Sequence, residues 1–244
     1  MKAVPPYFLC TSFLLVCSLL FPVLGFSATK QYSIRLGLTD SARELSIQSS
    51  SPFSLQVPSG KRYRISKKVT IKRQGDALFL NDRKISAPFV SVQRGSEVYH
   101  LKVLASAETS STQKSKKEWT VRGPLDITRV PSGLAVVNRI NLETYVAGVV
   151  SGEVSPTWPI EALKAQAVAA RTYVLYKQMN MQDQTFDVFA SVQDQVYHGH
   201  AARSESILRA ISETKGHVVT HNRQPIYAAP DGTVIFGAVR VRIY

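Results

Sequence analysis

The stretch SGEVSPTWPIEALKAQAVAARTY, Ser151–Tyr173, decides how this chain is read. A glycine precedes a single acid, Glu153; a Pro/Trp turn follows, then a run built largely from alanine. That run is the firmest helix in the sequence. Ser155 or Thr157 can cap it, Pro159 suits the first helical position, and Glu161 sits in the acid-favouring first turn. Ile160, Leu163, Ala167, Ala170 and Val174 recur at helical spacing, and Ala162, Ala165 and Ala169 add a second small face. Such a helix accepts close neighbours on several sides. Lys164 and Arg171 share one remaining face. The helix runs to about Met179, where Asn180 can end it.

Working outward, Asn141 can cap a short helix, Leu142–Val149, with Glu143 in its first turn. Gly148 and Gly152 bracket Val149-Val150-Ser151 and allow a sharp reversal or a close backbone approach. Downstream, FDVFASVQDQVYHG reads as strand or loop. SESILRAISETKG is an amphipathic helix with Ile207, Ala210 and Ile211 on one face and Gly216 as its stop. HVVTHNRQPIYAA is a hairpin turning at Asn222-Arg223.

From Gln31 to about Leu104 the pattern changes to period two. YSIRLGL, ELSIQ, FSLQV, YRISKKVTIKR, ALFLN, FVSVQ and VYHLKVL are half-buried antiparallel strands separated by Gly, Asn, Asp, Ser and Pro. This segment carries no catalytic signature and reads as a scaffold or docking module. Ser106–Glu118, polar and lysine-rich, reads as a loop or linker. Strands resume in EWTVRGPLDITRV and GLAVVNRI. The fold class is therefore α+β: an antiparallel β-rich part over residues 29–105, a linker at 106–118, and a mixed domain over 119–229 with the alanine-rich helix at its centre.

Residues 1–28 read as a secretory signal: Lys2 supplies the basic start, Tyr7–Leu24 the apolar run, and cleavage falls near 25 or 28. The run approaches a membrane span, so an uncleaved anchor is the alternative. Both cysteines, Cys10 and Cys17, lie inside this segment. The exported part would then have no thiol for a disulfide, a nucleophile or a metal. Net charge is +13, and only Lys2 leaves with the signal. An exported surface this basic favours polyanions, and outside the cytoplasm these are the cell wall or anionic lipid rather than nucleic acid.

NRINLETYVAGVVSGEV, TWPIEALKAQAVAARTY, DVFASVQDQVYHG, AISETKGHVV and QPIYAA occur in that order between about Arg122 and Ala229. In this the chain resembles the SpoIID/LytB family of bacterial cell-wall proteins. The family includes lytic transglycosylases of peptidoglycan and proteins described as amidase enhancers. The resemblance implies peptidoglycan glycan strands as partner, with a cell-wall amidase as a second partner in the enhancer case. It also implies that Glu153, at the Gly-Glu step before the Trp-Pro turn, is the catalytic acid.

Cleaving a glycan bond needs a proton on the leaving oxygen as an oxocarbenium-like transition state forms. A carboxyl supplies it near neutral pH only if its pKa is raised above about 4.3 by burial or apolar contact. Val150, Val154, Trp158 and Pro159 surround Glu153 in sequence, and Trp158 can desolvate it or stack on a sugar. No second acid is paired with it in sequence, although Asp187 or Asp194 can approach in three dimensions. A lytic transglycosylase needs only one carboxyl, because the muramic 6-hydroxyl attacks in place of water.

Arg171 is expected to hold Glu153 or an anionic substrate group, or else to form a structural ion pair. Gln195 and Tyr197 lie two apart, on one face of a strand, where they can hydrogen-bond substrate or, for Tyr197, pack in the core. His198 and His200 have a metal-like spacing but no third ligand. Neither a metal nor a cofactor is expected; the zinc that some family members bind through cysteines has no cysteines here. After Ala229 the sequence PDGTVIFGAVRVRIY departs from the family pattern. This predicts a truncated domain over 230–244, with a half-built cleft and a possible loss of activity.

Overall fold

The computed structural model describes residues 32–92, 98–105, 116–180, 185–191, 194–197, 199, 204–228 and 240–243. The N-terminal segment read as a signal, His198 and His200 lie outside these residues. Among the described residues the chain is α+β, as the sequence predicts.

β1 (Ser33–Ser49) is the axis of the main sheet. Its first half pairs antiparallel with β11 (Gly133–Asn141), Ile34 opposite Ile140 and Leu36 opposite Asn138. Its second half lies between β4 (Lys68–Gln74) and β8 (Val98–Ala105), with Leu45 opposite Ile71 on one side and Val103 on the other. The sequence reads two strands here, and the structure makes them one. Ile34, Leu36, Leu38 and Ala42 point inward, then Leu45 and Ile47 do. The inward phase slips by one residue where the ladder is irregular, between Gly37 and Glu44. An extra residue at a bulge is what resets a period-two pattern without turning the apolar face outward.

The other strands are β2 (Phe53–Gln56), β3 (Arg62–Ile65), β5 (Ala77–Leu80), β6 (Arg83–Ile85), β7 (Phe89–Val92), β9 (Lys116–Arg122) and β10 (Leu125–Val130). The order is β3-β2-β7-β10-β11-β1-β4-β5-β6, with β8 and β9 branching from β1. β1 thus joins the amino-terminal strands to the later ones in one ladder system. β6 has no counterpart among the expected strands: its three residues are too few to show a period. The segment 106–118 is expected as loop, but β9 already begins at Lys116, where it continues the ladder to β8. Residues 106–115 lie outside the description.

α1 (Leu142–Glu153) follows β11 directly. Asn141 caps it, its Oδ1 accepting from the Thr144 amide at 2.9 Å. The helix continues one turn beyond the expected end at Val149, so Glu153 is its last residue. α2 (Ile160–Asn180) is the alanine-rich helix. Ser155 does not cap it: its Oγ accepts from Thr157 N within the interhelical turn, and Trp158 N donates to Ser155 O. The Pro159 carbonyl takes the amides of Ala162 and Leu163, which places proline just before the helix. From Ala170 to Leu175 every α2 residue is buried. Its small side chains let it pack against α1, against α3 (Glu205–Glu213) and against β13 (His217–His221).

α3 is capped by Ser204 and buries Ile207, Ala210 and Ile211, the expected face. β13 and β14 (Gln224–Pro225) form the expected hairpin, with Asn222 and Arg223 both at positive φ. From the divergent tail, β15 (Arg240–Ile243) adds to the other side of β13. A short strand β12 (Val188–Phe189) pairs in parallel with β1 at Leu36–Gly37.

Arg171 locks the helices to the small sheet. It is wholly buried and forms a two-pronged pair with Glu143, Nε to Oε1 at 3.0 Å and Nη2 to Oε2 at 2.8 Å. Its Nη1 donates to the His217 carbonyl at 3.0 Å. One cation thus ties α1, α2 and β13. Arg171→Ala should lower unfolding stability by about 3 kcal/mol, because Glu143 and the carbonyl lose their donor. The double variant Arg171→Met with Glu143→Leu should recover most of that loss, both measured by urea unfolding.

Candidate functional site

Glu153 ends α1, half-buried, beside α2 and the segment 194–197. Gln166, on the second turn of α2, donates from Nε2 to Glu153 Oε2 at 2.6 Å. The Val196 amide also bonds the carboxylate. Burial raises the Glu153 pKa above the ordinary carboxylate value, and the Val196 and Gln166 hydrogen bonds pull only partly against it. A carboxyl in that balance holds its proton to higher pH than a solvated one, while its two donors steady the anion once the proton has left.

The Val196 amide reaches Glu153 because two glycines let the chain come close. A Cβ on Gly148 would sit 2.1 Å from Tyr197 Cε2, and one on Gly152 would sit 2.8 Å from the Val196 carbonyl oxygen. Of the two roles the sequence allows these glycines, the structure uses close approach and not reversal. They stand four apart, on one face of α1. Tyr197 lies over that face with its ring parallel to Tyr145, centres 6.2 Å apart.

Neighbouring bonds fix the same segment. Tyr145 donates its hydroxyl to Gln195 Oε1 at 2.6 Å. Asp194 accepts from the Tyr173 hydroxyl at 2.6 Å and from the Phe189 amide at 2.7 Å, and pairs with Lys177 at 2.9 Å. Asp187 takes the Arg35 side chain and amide, and Gln178. Both aspartates are therefore engaged in holding the chain between 187 and 194 against β1 and α2.

The other expected site residues fall into two groups. Gln195 and Tyr197 do share one face, but that face is turned onto α1 and buried, where both meet Tyr145. Arg171 takes the ion-pair role, spending its donors on Glu143, Ala167 and His217. Trp158 remains available: its side chain is half exposed (50%) in the turn between α1 and α2. Ser206 steadies that turn by donating to the Pro156 carbonyl at 2.8 Å. Sequence reasoning missed Gln166 and Val196. Gln166 carried a weak signal, an uncharged polar residue within the alanine run. Val196 carried none, because its contribution is a main-chain amide.

Two outcomes follow. Alanine at Gly148 normally favours a helix by about 1 kcal/mol. Here the clash with Tyr197 reverses the sign, and Gly148→Ala should lose about 1–3 kcal/mol in urea unfolding. Glu153→Gln should raise the melting temperature at pH 7, because burial disfavours the wild-type carboxylate. That advantage should shrink as pH falls through the raised folded pKa and vanish below the unfolded value of about 4.3.

Residues 131–221 match the family described as SpoIID, stage II sporulation protein. An uncharacterised protein of Brachyspira hyodysenteriae is 43% identical over 94 residues, covering 38% of this chain and 26% of that protein. Stage II sporulation protein D of Bacillus subtilis is 32% identical over 146 residues, 51% of this chain and 43% of that protein. The amidase enhancer of Bacillus subtilis is 39% identical over 82 residues, 34% of this chain and 11% of that protein. The chain spans less than half the length of each of these relatives. α1, the Trp158 turn, α2 and α3 all lie within the residues that match the SpoIID family.

Proposed function

We propose that this protein is exported and remodels peptidoglycan as a lytic transglycosylase, with Glu153 as its acid and base. The observation that carries the reading is the Glu153 carboxyl: half-buried, raised in pKa, and held by two donors at the end of a helix. In the first step the protonated carboxyl gives its proton to the glycosidic oxygen as the C1–O bond breaks. The muramic 6-hydroxyl then attacks C1, and the Glu153 carboxylate takes the hydroxyl proton. The new C1–O6 bond closes a 1,6-anhydro ring, and the enzyme returns to its starting form. No water is consumed, so no second carboxylate is needed to activate one. Gln166 and the Val196 amide steady the carboxylate between the two proton transfers. The exposed Trp158 ring offers an apolar face to a sugar.

The test uses purified peptidoglycan, intact and stripped of stem peptides. New anhydro ends should form with the wild type and fall at least a hundredfold with Glu153→Gln. Equal product from both proteins would overturn the reading. Gln166→Leu removes a donor that favours the anion and so should raise the Glu153 pKa further. The alkaline limb of the pH–rate profile should move to higher pH, with kcat lower by about tenfold from lost orientation.

The likeness to an amidase enhancer supports a second reading, a wall-binding partner that stimulates a separate amidase. It predicts wall pelleting and amidase stimulation that survive Glu153→Gln.

A further inference from the structure

The path of the main sheet ends at β3 on one side and β6 on the other. These two edges do not pair, but they line one cleft of about 350 Å³. Its walls are Lys61, Arg62, Tyr63 and Arg64 from β3 and its lead-in, Asn81 from the β5–β6 turn and Arg83 from β6, with the buried Ile65 and Leu80 completing the lining. Four of these residues are cationic, and none is acidic. Among the described residues no carboxylate pairs with Lys61, Arg62, Arg64 or Arg83. The nearest acid in sequence, Asp82, pairs instead with Lys72 at 3.5 Å.

Tyr63 stands between cations, with Lys61 Nζ 5.4 Å and Arg83 Cζ 5.7 Å from its ring centre. The far wall is rigid. Asn81 and Asp82 turn at positive φ, and Asn81 is fixed to Thr70 by two bonds, its amide donating at 3.0 Å and its Oδ1 accepting at 2.8 Å.

Charged edges by themselves protect a sheet from unwanted strand pairing. That role needs charge on each edge, but not a cleft shared by both. Three arginines lining one space suit planar oxyanions, which a guanidinium grips with two parallel N–H bonds. A half-buried tyrosine among them adds a face for a sugar ring. The cleft shares no residue with the surroundings of Glu153.

We infer that the seam between β3 and β6 is a second binding site, taking the carboxylates of sugar acids repeated along a glycan strand. The inference rests on the wall-remodelling reading only for the source of the sugar acid. A strand held there is tethered to the protein independently of the bond being cut.

The experiment is co-sedimentation of the full chain with glycan strands stripped of stem peptides, whose muramic acids keep their carboxylates. Arg62→Ala, Arg64→Ala and Arg83→Ala together should weaken binding at least tenfold. Removing the same charge elsewhere, with Lys117→Ala, Arg122→Ala and Lys215→Ala, should change it less than about twofold. Melting temperatures of both variants confirm folding. Amidating the glycan carboxyls should lower wild-type binding to the level of the cleft variant, and polygalacturonate should compete better than polyphosphate. Equal loss in both triple variants, full binding to amidated glycan, or preference for polyphosphate would each overturn the inference. Anhydro-end formation at saturating glycan should be unchanged in the cleft variant. A protein that binds through the cleft and makes no anhydro ends would remove the enzymatic reading and leave this site standing.

Discussion

The contact on which the site depends is the approach of the 195–197 backbone to the glycine face of α1. Only hydrogen at positions 148 and 152 leaves room for the Tyr197 ring and the Val196 carbonyl. Two glycines inside a helix cost it roughly 1 kcal/mol each relative to alanine. The cost is offset by what the close approach permits: a parallel tyrosine pair, a buried Tyr145–Gln195 bond, and a main-chain donor at the Glu153 carboxylate. The same contact removes water from Glu153 and supplies a fixed dipole in its place. Those two effects act in opposite directions on the proton, and burial is the larger.

Around that contact the structure is built to resist movement. The segment is held at Asp187 by Arg35 and Gln178, and at Asp194 by Tyr173, Lys177 and the Phe189 amide. α2 is tied to β13 by Arg171 and again by Thr172, whose Oγ1 accepts from the Val219 amide at 2.9 Å. A carboxyl used as acid and base must return to the same position after each proton transfer, and a supporting shell that is itself hydrogen-bonded provides for this. The polar groups that seemed available for chemistry in the sequence are mostly spent on this shell.

The main sheet serves the site indirectly. β11 runs straight into α1 through the Asn141 cap, so the helix leaves the sheet at a fixed point. β1 carries the ladder from that point outward to the basic edges, and its irregular stretch changes the inward phase on the way. The sheet thus separates two surfaces, one with a half-buried acid and one with unpaired cations.

Local spacing, caps and turn residues determined most of the elements: the alanine-rich helix, the Ile207 face of α3, the Asn222–Arg223 turn and most of the alternating strands were legible, whereas the three-residue β6 and the fusion of two strands into β1 were not. The quoted motif also singled out Glu153 and left Trp158 exposed beside it. Tertiary structure decided the rest. Arg171 could not be assigned from sequence, because a buried guanidinium takes whichever carboxylate the fold brings to it, and that was Glu143 rather than Glu153. Gln195 and Tyr197 were read on the correct shared face, but whether that face meets substrate or α1 depends on two glycines in another element. The donors to Glu153 were hidden for a related reason: one is a backbone amide, which every residue but proline carries, and the other lies thirteen positions away on a different helix. Spacing along a chain fixes which side chains point together, but partners far apart in sequence are chosen only when the elements pack.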